Sequence, residues 1–107
     1  MNKLAFLIFI SVAQWTAQAQ AQDAAAGRAK ADAACALCHG QNGIASMPSA
    51  PNLAGQAPIY LSEQLKNYRS GKRQHEVMSV IAKPLTDAEI ANLAAWYNSI
   101  KVSVETP

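Results

Sequence analysis

The sequence has little of what several large classes of protein require. Its 107 residues contain only two cysteines, 15% charged residues and a formal net charge of +2. Binding to nucleic acid needs a dense basic face, so this small excess of positive charge does not support it. A chain this short forms one small domain, which excludes multidomain architectures.

Large apolar side chains are also scarce. Alanine supplies 22 of the hydrophobic residues, and both phenylalanines, Phe6 and Phe9, precede residue 22. Residues 22–107 contain only 21 large apolar side chains in 86 positions. Domains with so small a core commonly need a disulfide, a metal or another cross-link, because burial at ~25 cal/mol/Å² barely offsets the chain entropy. A large apolar cofactor would fill the gap.

Residues 1–21 are predicted to be a secretory signal peptide. A positive start ending at Lys3 precedes an apolar run from Leu4 to Ala13, and Ala19-Gln20-Ala21 provides a small-residue cleavage site. Ten apolar residues are about half of the ~20 that a membrane-spanning helix needs, which disfavours the alternative of an uncleaved anchor. Cleavage after Ala21 leaves residues 22–107 as an exported, periplasmic domain with no membrane span, and cleavage after Ala19 is the alternative.

Three main helices are predicted, and the fold class is all-α. Asp23 can cap an alanine-rich helix over residues 24–34. A second helix begins at Pro58 and ends at Gly71, and a third follows the capping box formed by residues 86–89. Their apolar stripes are Leu61, Leu65 and Tyr68 on the second helix and Ile90, Leu93, Tyr97 and Ile100 on the third. The connection over residues 39–58 is long enough to indicate that it wraps around something or serves a function.

The segment Cys35-Ala36-Leu37-Cys38-His39 has the C-x-x-C-H spacing of a c-type haem attachment site. There, two thiols add to the haem vinyl groups and the adjacent histidine reaches the iron. A thiol–disulfide redox pair is one alternative, although such pairs normally stand beside a βαβ pattern that this sequence lacks. Zinc bound by these three side chains and His75 is another, but the neighbouring Cys38 and His39 are poorly placed for two corners of one tetrahedron.

Further short matches begin at Gly27 and extend over nearly all of residues 22–107. They are Cys-Ala-Leu-Cys-His-Gly at 35–40, Pro-Asn-Leu-Ala-Gly at 51–55, Tyr60-Leu61, Gln64-Leu65, Gly71-Lys72-Arg73, Met78, Leu85-Thr86-Asp87 and Leu93-Ala94-Ala95-Trp96-Tyr97. With these, the sequence resembles the bacterial class I cytochromes c, small monohaem domains with histidine and methionine on opposite faces of the iron. The resemblance is to the short periplasmic type, also found as half-domains in dihaem cytochromes.

This resemblance implies a small cytochrome c fold in which about three main helices wrap around one covalently bound haem c. It implies that Cys35 and Cys38 form the thioether bonds and that His39 is the proximal iron ligand. The carbonyl of Pro51 would accept the second N–H of that histidine and raise its donor strength, unless Pro51 is only a loop proline.

Met78 is the predicted sixth ligand, because it matches the family position and follows His39 by 39 residues, enough chain to pass around the ring edge. Met47 follows His39 by only eight residues and would have to turn sharply over the same edge. His75 is the other alternative, and a bis-histidine iron would have a lower potential than a histidine–methionine iron.

The expected function is the transfer of single electrons between redox proteins as the iron cycles between Fe(II) and Fe(III), without bond chemistry, so the protein is not expected to be an enzyme. One alternative is the haem c subunit of a larger dehydrogenase or oxidase complex, and a remote one is a thiol–disulfide oxidoreductase. Redox partners would dock on a basic edge, defined by Lys66, Arg69, Lys72 and Arg73. The alternative is that these charged side chains form an ordinary solvated face with no role in docking.

Overall fold

A computed structural model describes residues 22–107, so the signal-peptide prediction for residues 1–21 lies outside the described part. Within the described residues the chain forms helices and no strand, which confirms the all-α prediction. The helices are α1 (Ala24–Ala34), α2 (Ala36–His39), α3 (Pro58–Ser70), α4 (Met78–Ala82) and α5 (Asp87–Ser99). None of those found in residues 22–107 is long and apolar enough to cross a membrane.

The three longer helices begin and end where local sequence signals predict. The Asp23 carboxylate accepts hydrogen bonds from two amides of α1, at 2.9 and 3.1 Å. Thr86 and Glu89 form a reciprocal capping box at the start of α5. The Thr86 amide, which donates to the Glu89 carboxylate, is the main cause of the lowered pKa of that carboxyl group. Gly71 ends α3 in the left-handed conformation, with a φ of 86°.

Helices α1 and α5 cross closely, and Gly27 makes the close approach possible. A Cβ atom at Gly27 would collide with the carbonyl oxygen of Asn92 and would lie 3.0 Å from the Cβ of Trp96. An ion pair between Lys30 and Glu89, with 3.0 Å between nitrogen and oxygen, also joins the two helices. Because residue 27 has no side chain, α1 and α5, which lie at the two ends of the domain sequence, can cross at this short distance.

The core is as small as the composition predicts. Helices α1 and α3 pack on α5, and α4 packs beside α3. Only Ile90 and Leu93 combine a large side chain with an exposure below 2% in the described part of the chain. The buried apolar residues are Ala31, Leu61, Ala82, Leu85, Ile90, Leu93, Ala94 and Tyr97.

Two short helices, α2 and α4, go beyond the prediction of three main helices. Helix α2 carries the end of the C-x-x-C-H motif, and α4 lies between the second and third predicted helices. Helices of four and five residues show no hydrophobic periodicity, so a sequence pattern cannot distinguish them from loops.

Candidate functional site

The three residues of the C-x-x-C-H motif lie on one side of α2. Cys35 stands directly before the helix, and its carbonyl accepts the amide of His39 at 3.0 Å. Cys38 and His39 therefore follow Cys35 at the i+3 and i+4 positions, which face the same way on a helix. The local helix presents two thiols and one imidazole together.

The imidazole of His39 is buried and held in a defined orientation. Its exposed fraction is 8%, and its Nδ1 atom lies 2.8 Å from the carbonyl oxygen of Pro51. A carbonyl oxygen can only accept, so Nδ1 donates the proton, and the lone pair of the neutral ring is on Nε2. The hydrogen bond that the family resemblance implies is present, and it prepares Nε2 to bind a metal ion.

The long loop between α2 and α3 holds Pro51 in place through its own hydrogen bonds. The Asn52 side chain accepts the amide of Ala45 at 2.7 Å, and the carbonyl of Gly43 accepts the amide of Ala54 at 3.0 Å. Gly43 has a φ of 74°, and a Cβ atom there would lie 2.7 Å from the Ala54 nitrogen. The loop is thus folded upon itself, and Asn52 is a site-supporting residue that the sequence analysis did not identify. Its signals in the sequence were a position in a cluster of turn-forming residues and the Pro-Asn-Leu-Ala-Gly match at 51–55.

A cavity of about 410 Å³ lies beside α2. It brings together all the predicted site residues and both alternative ligands, namely Cys35, Cys38, His39, Pro51, Met78, Met47 and His75. Its apolar walls include Leu53, Leu61, Leu65, Leu93, Ala94 and Tyr97. We refer to this space as the central cavity.

The three candidates for the sixth ligand differ in how they are held. The amide of Met47 donates to the carbonyl of Cys38 at 3.3 Å, which keeps Met47 close to the helix that carries His39. Met78 is the first residue of α4, a separate element that packs beside α3. His75 uses Nδ1 to accept the amides of Val77 and Met78, at 3.1 and 3.3 Å.

The environment of Cys35 does not favour thiol chemistry. Burial raises the pKa of the Cys35 thiol, and the opposing effects of Tyr97 and Lys30 are smaller. A redox-active cysteine needs the reverse, because the thiolate is the reactive form. Burial, with a further contribution from Cys35, also raises the pKa of the Tyr97 hydroxyl far above its ordinary value.

The zinc alternative finds no support in the ligand geometry. No group of three or more His, Cys, Asp or Glu side chains within residues 22–107 is arranged to hold a metal ion. The proposed four-residue set of two cysteines, His39 and His75 is therefore not assembled.

The central cavity fits a large, mainly apolar group that also carries polar substituents. Its volume lies within the ~300–1,000 Å³ typical of ligand sites. Its walls are mostly apolar, whereas Gln56, Gln64 and Arg73 also contribute to its lining. The Tyr97 hydroxyl is buried in the wall with no hydrogen-bond partner among the described residues. The residues present therefore fit a covalently attached haem.

In the basic edge, the two arginines form hydrogen bonds to other residues, whereas the two lysines are exposed and form no ion pair within the described residues. Arg69 donates to the carbonyl of Leu85 at 2.9 Å and pairs with Asp87 at 2.6 Å, and this hydrogen bond lowers the pKa of the Asp87 carboxyl group. Arg73 donates to Gln64 at 2.9 Å and lies over the ring of Tyr68. Lys66 and Lys72 are exposed and form no ion pair within residues 22–107.

Comparison with known proteins identifies relatives over most of the chain. The family model for cytochrome c matches residues 24–101. Cytochrome c4 of Pseudomonas aeruginosa is 39% identical over 104 residues, which cover 97% of this chain and 51% of the relative. Cytochrome c-554(548) of Halomonas halodenitrificans is 43% identical over 82 residues, which cover 74% of this chain and 98% of the relative.

Solved structures share the fold. Reduced cytochrome c4 from Pseudomonas stutzeri superposes with a TM-score of 0.70 and 35% identity, covering 78% of this chain and 48% of that one. Thiosulfate dehydrogenase (TsdBA) from Marichromatium purpuratum gives a TM-score of 0.67 and 37% identity, covering 73% of this chain and 19% of that one. The chain thus spans about half the length of the cytochromes c4 that it matches.

Proposed function

The chain belongs to the cytochrome c family, and we propose that it is a periplasmic electron carrier with one covalently bound haem c. The buried His39, whose Nδ1 donates to the Pro51 carbonyl at 2.8 Å, carries this proposal. That hydrogen bond leaves the Nε2 lone pair of the neutral ring able to bind a metal, and the two thiols of the same motif would supply the covalent attachment.

Each residue of the motif has a distinct role in the proposal. Cys35 and Cys38 hold the haem by thioether bonds from the same side of α2, and His39 ligates the iron. The carbonyl of Pro51 fixes the plane of the imidazole and increases its donor strength. When bound, the haem supplies a one-electron Fe(II)/Fe(III) couple.

We propose that Met78 would supply the second side-chain ligand to the haem iron. It lies on α4 and lines the same cavity as His39, whereas Met47 is tied by its amide to the Cys38 carbonyl. The remaining candidate, His75, already uses one ring nitrogen to accept backbone amides. Two side-chain ligands leave no coordination position for a substrate, which favours electron transfer over catalysis.

The family relationship leaves two ways in which this carrier could operate. The cytochrome c-554(548) relative is matched over 98% of its length, which supports a free single-domain shuttle. The similarity to one part of a thiosulfate dehydrogenase supports the second candidate, a haem subunit of a larger complex. A free shuttle is our preferred function, and its redox donor and acceptor would be other proteins.

The test is a visible spectrum of the protein purified from the periplasmic fraction, with a pyridine haemochrome assay. We expect one haem c per chain, an absorbance that persists after denaturation, and elution as a small protein. Titratable thiols without visible absorbance would instead support thiol chemistry. Co-elution of the haem with a large partner would support the subunit function.

We expect the two exposed lysines of the basic edge to steer acidic partners. Oxidation of the reduced protein by hexacyanoferrate(III), an anionic probe, should slow by roughly tenfold from low to high salt, because exposed charges are screened beyond a Debye length of ~10 Å at 0.1 M. Stopped-flow absorbance measures the rate. In a Lys66→Glu/Lys72→Glu variant, the rate at low salt should fall and lose most of its salt dependence.

The matched control is Lys101→Glu, which changes an exposed lysine in the segment after α5. Its salt dependence should stay close to that of the wild-type protein. Arg69 is left unchanged because its pairing with Asp87 and Leu85 makes it part of the fold. An effect of Lys101→Glu about half as large as that of the double variant, in proportion to the charge reversed, would mean that net charge, and not the two lysines, governs the encounter.

A further inference from the structure

His75 closes the first turn of α4 through both its side chain and its backbone. Its Nδ1 atom accepts the amides of Val77 and Met78, at 3.1 and 3.3 Å. Its own amide donates to the Ser79 hydroxyl at 3.0 Å, and its carbonyl accepts the Ser79 amide at 3.0 Å. As in a capping box, side chains at both ends of the first turn accept backbone amides, and here one of the side-chain acceptors is an imidazole.

Helix α4 needs such support because it is very short. It has five residues, and a helix of that length is not stable by itself in water. The residue at its N-cap position is Val77, whose side chain cannot accept a hydrogen bond. Without His75, the first amides of the helix would have no side-chain acceptor from the capping position.

The imidazole is itself anchored to the longer helix α3. The ring of Tyr68 meets it edge-on, with 6.5 Å between ring centroids and 74° between planes. Arg73 covers the same tyrosine ring at 4.7 Å and donates to Gln64 on α3. A chain of contacts therefore runs from α3 through Tyr68 and His75 to the backbone of Met78.

We propose that His75 is a positioning residue for Met78 and not an iron ligand. By accepting the Met78 amide, it holds the first turn of α4 so that the Met78 side chain stays in the central cavity. An Nδ1 atom that accepts two amides carries no proton, so the ring proton is on Nε2. This inference rests on the proposed role of Met78, and it assigns to His75 a function that its sequence position does not reveal.

The test uses the haem-loaded protein with three variants, His75→Ala, His75→Asn and Gln74→Ala. Asparagine keeps a short side-chain acceptor of the kind favoured at capping positions, and Gln74 is an exposed neighbour outside the hydrogen-bond network. Two quantities are measured on the oxidised protein: the near-infrared Met–Fe(III) charge-transfer band and the affinity for added imidazole, which must displace the methionine.

We expect His75→Ala to weaken the band and to bind imidazole roughly tenfold more tightly, the size of change expected when a helix cap is lost. His75→Asn should restore both quantities to within about twofold of the wild-type values, and Gln74→Ala should leave them unchanged. Far-ultraviolet circular dichroism checks that α1, α3 and α5 are intact in each variant.

Wild-type imidazole affinity in His75→Ala would overturn the proposal, as would equal effects of His75→Ala and His75→Asn. Met78→Ala in the same series separates this result from a failure of the ligand assignment. Loss of the band in Met78→Ala with no effect of the His75 variants would overturn only the positioning role. Survival of the band in Met78→Ala would overturn the ligand assignment and the positioning role together.

Discussion

Replacing both Cys35 and Cys38 by serine is expected to leave the protein without haem and largely unfolded. The described residues bury few large side chains, and much of what is apolar lines the central cavity. An empty cavity costs about 24 cal/mol per Å³, so a volume of 410 Å³ corresponds to at most about 10 kcal/mol, since water can enter its open side. That upper bound is comparable to the total stability of a small domain, about 5–15 kcal/mol.

Circular dichroism during thermal melting measures this result. The double variant should show reduced helix content and no cooperative transition, whereas the wild-type holoprotein should melt cooperatively. The single variants Cys35→Ser and Cys38→Ser serve as controls. Each keeps one thiol to which haem can be attached, and each should fold when haem is attached. A double variant with native-like helix and a cooperative melt would show that the polypeptide core is sufficient by itself.

Replacing Met78 by alanine is expected to produce the largest change in redox properties. A methionine ligand raises the potential of a histidine-ligated haem, and axial ligands shift haem potentials over a range of about 0.8 V. We expect the potential to fall by on the order of 100 mV or more. The near-infrared Met–Fe(III) band of the oxidised protein should disappear.

Redox titration and near-infrared absorption measure the two effects, and Met47→Ala is the matched control. Met47 lines the same cavity, but its backbone is tied to Cys38, so its removal should leave the band in place and the potential nearly unchanged. The reverse pattern, with the band retained in Met78→Ala and lost in Met47→Ala, would identify Met47 as the ligand.

The longer helices were predictable because their signals are local. Asp23 caps amides two and three residues away, and Thr86 and Glu89 bond to each other across three residues. Such contacts depend only on the order of nearby residues, so a sequence pattern contains all the information needed. The short α2 and α4 escaped prediction because tertiary packing, and not propensity, stabilises helices of that length.

The aromatic residues also show which features depend on tertiary packing and not on local sequence signals. Tyr60, Tyr68 and Tyr97 line the central cavity. Trp96 instead packs at the crossing of α1 and α5, where Arg28 lies 5.3 Å from its ring centroid. Trp96 and Tyr97 are neighbours on α5, and the helical pattern alone does not distinguish their surroundings. Only the crossing of α1 and α5 determines that Tyr97 lies beside the cavity and Trp96 beside α1.

The family, the fold class, the attachment motif and the ends of the longer helices are predictable from the sequence, because each is encoded within a few residues or in a spaced motif. Only the packed structure shows that Lys66 and Lys72 form no ion pair within residues 22–107 and that His75 accepts the amides of Val77 and Met78. Arg69 meets Asp87 across 18 positions and Asn98 donates to the Gln56 carbonyl across 42. Contacts between residues so far apart depend on how the helices and loops pack, and no local pattern specifies that packing.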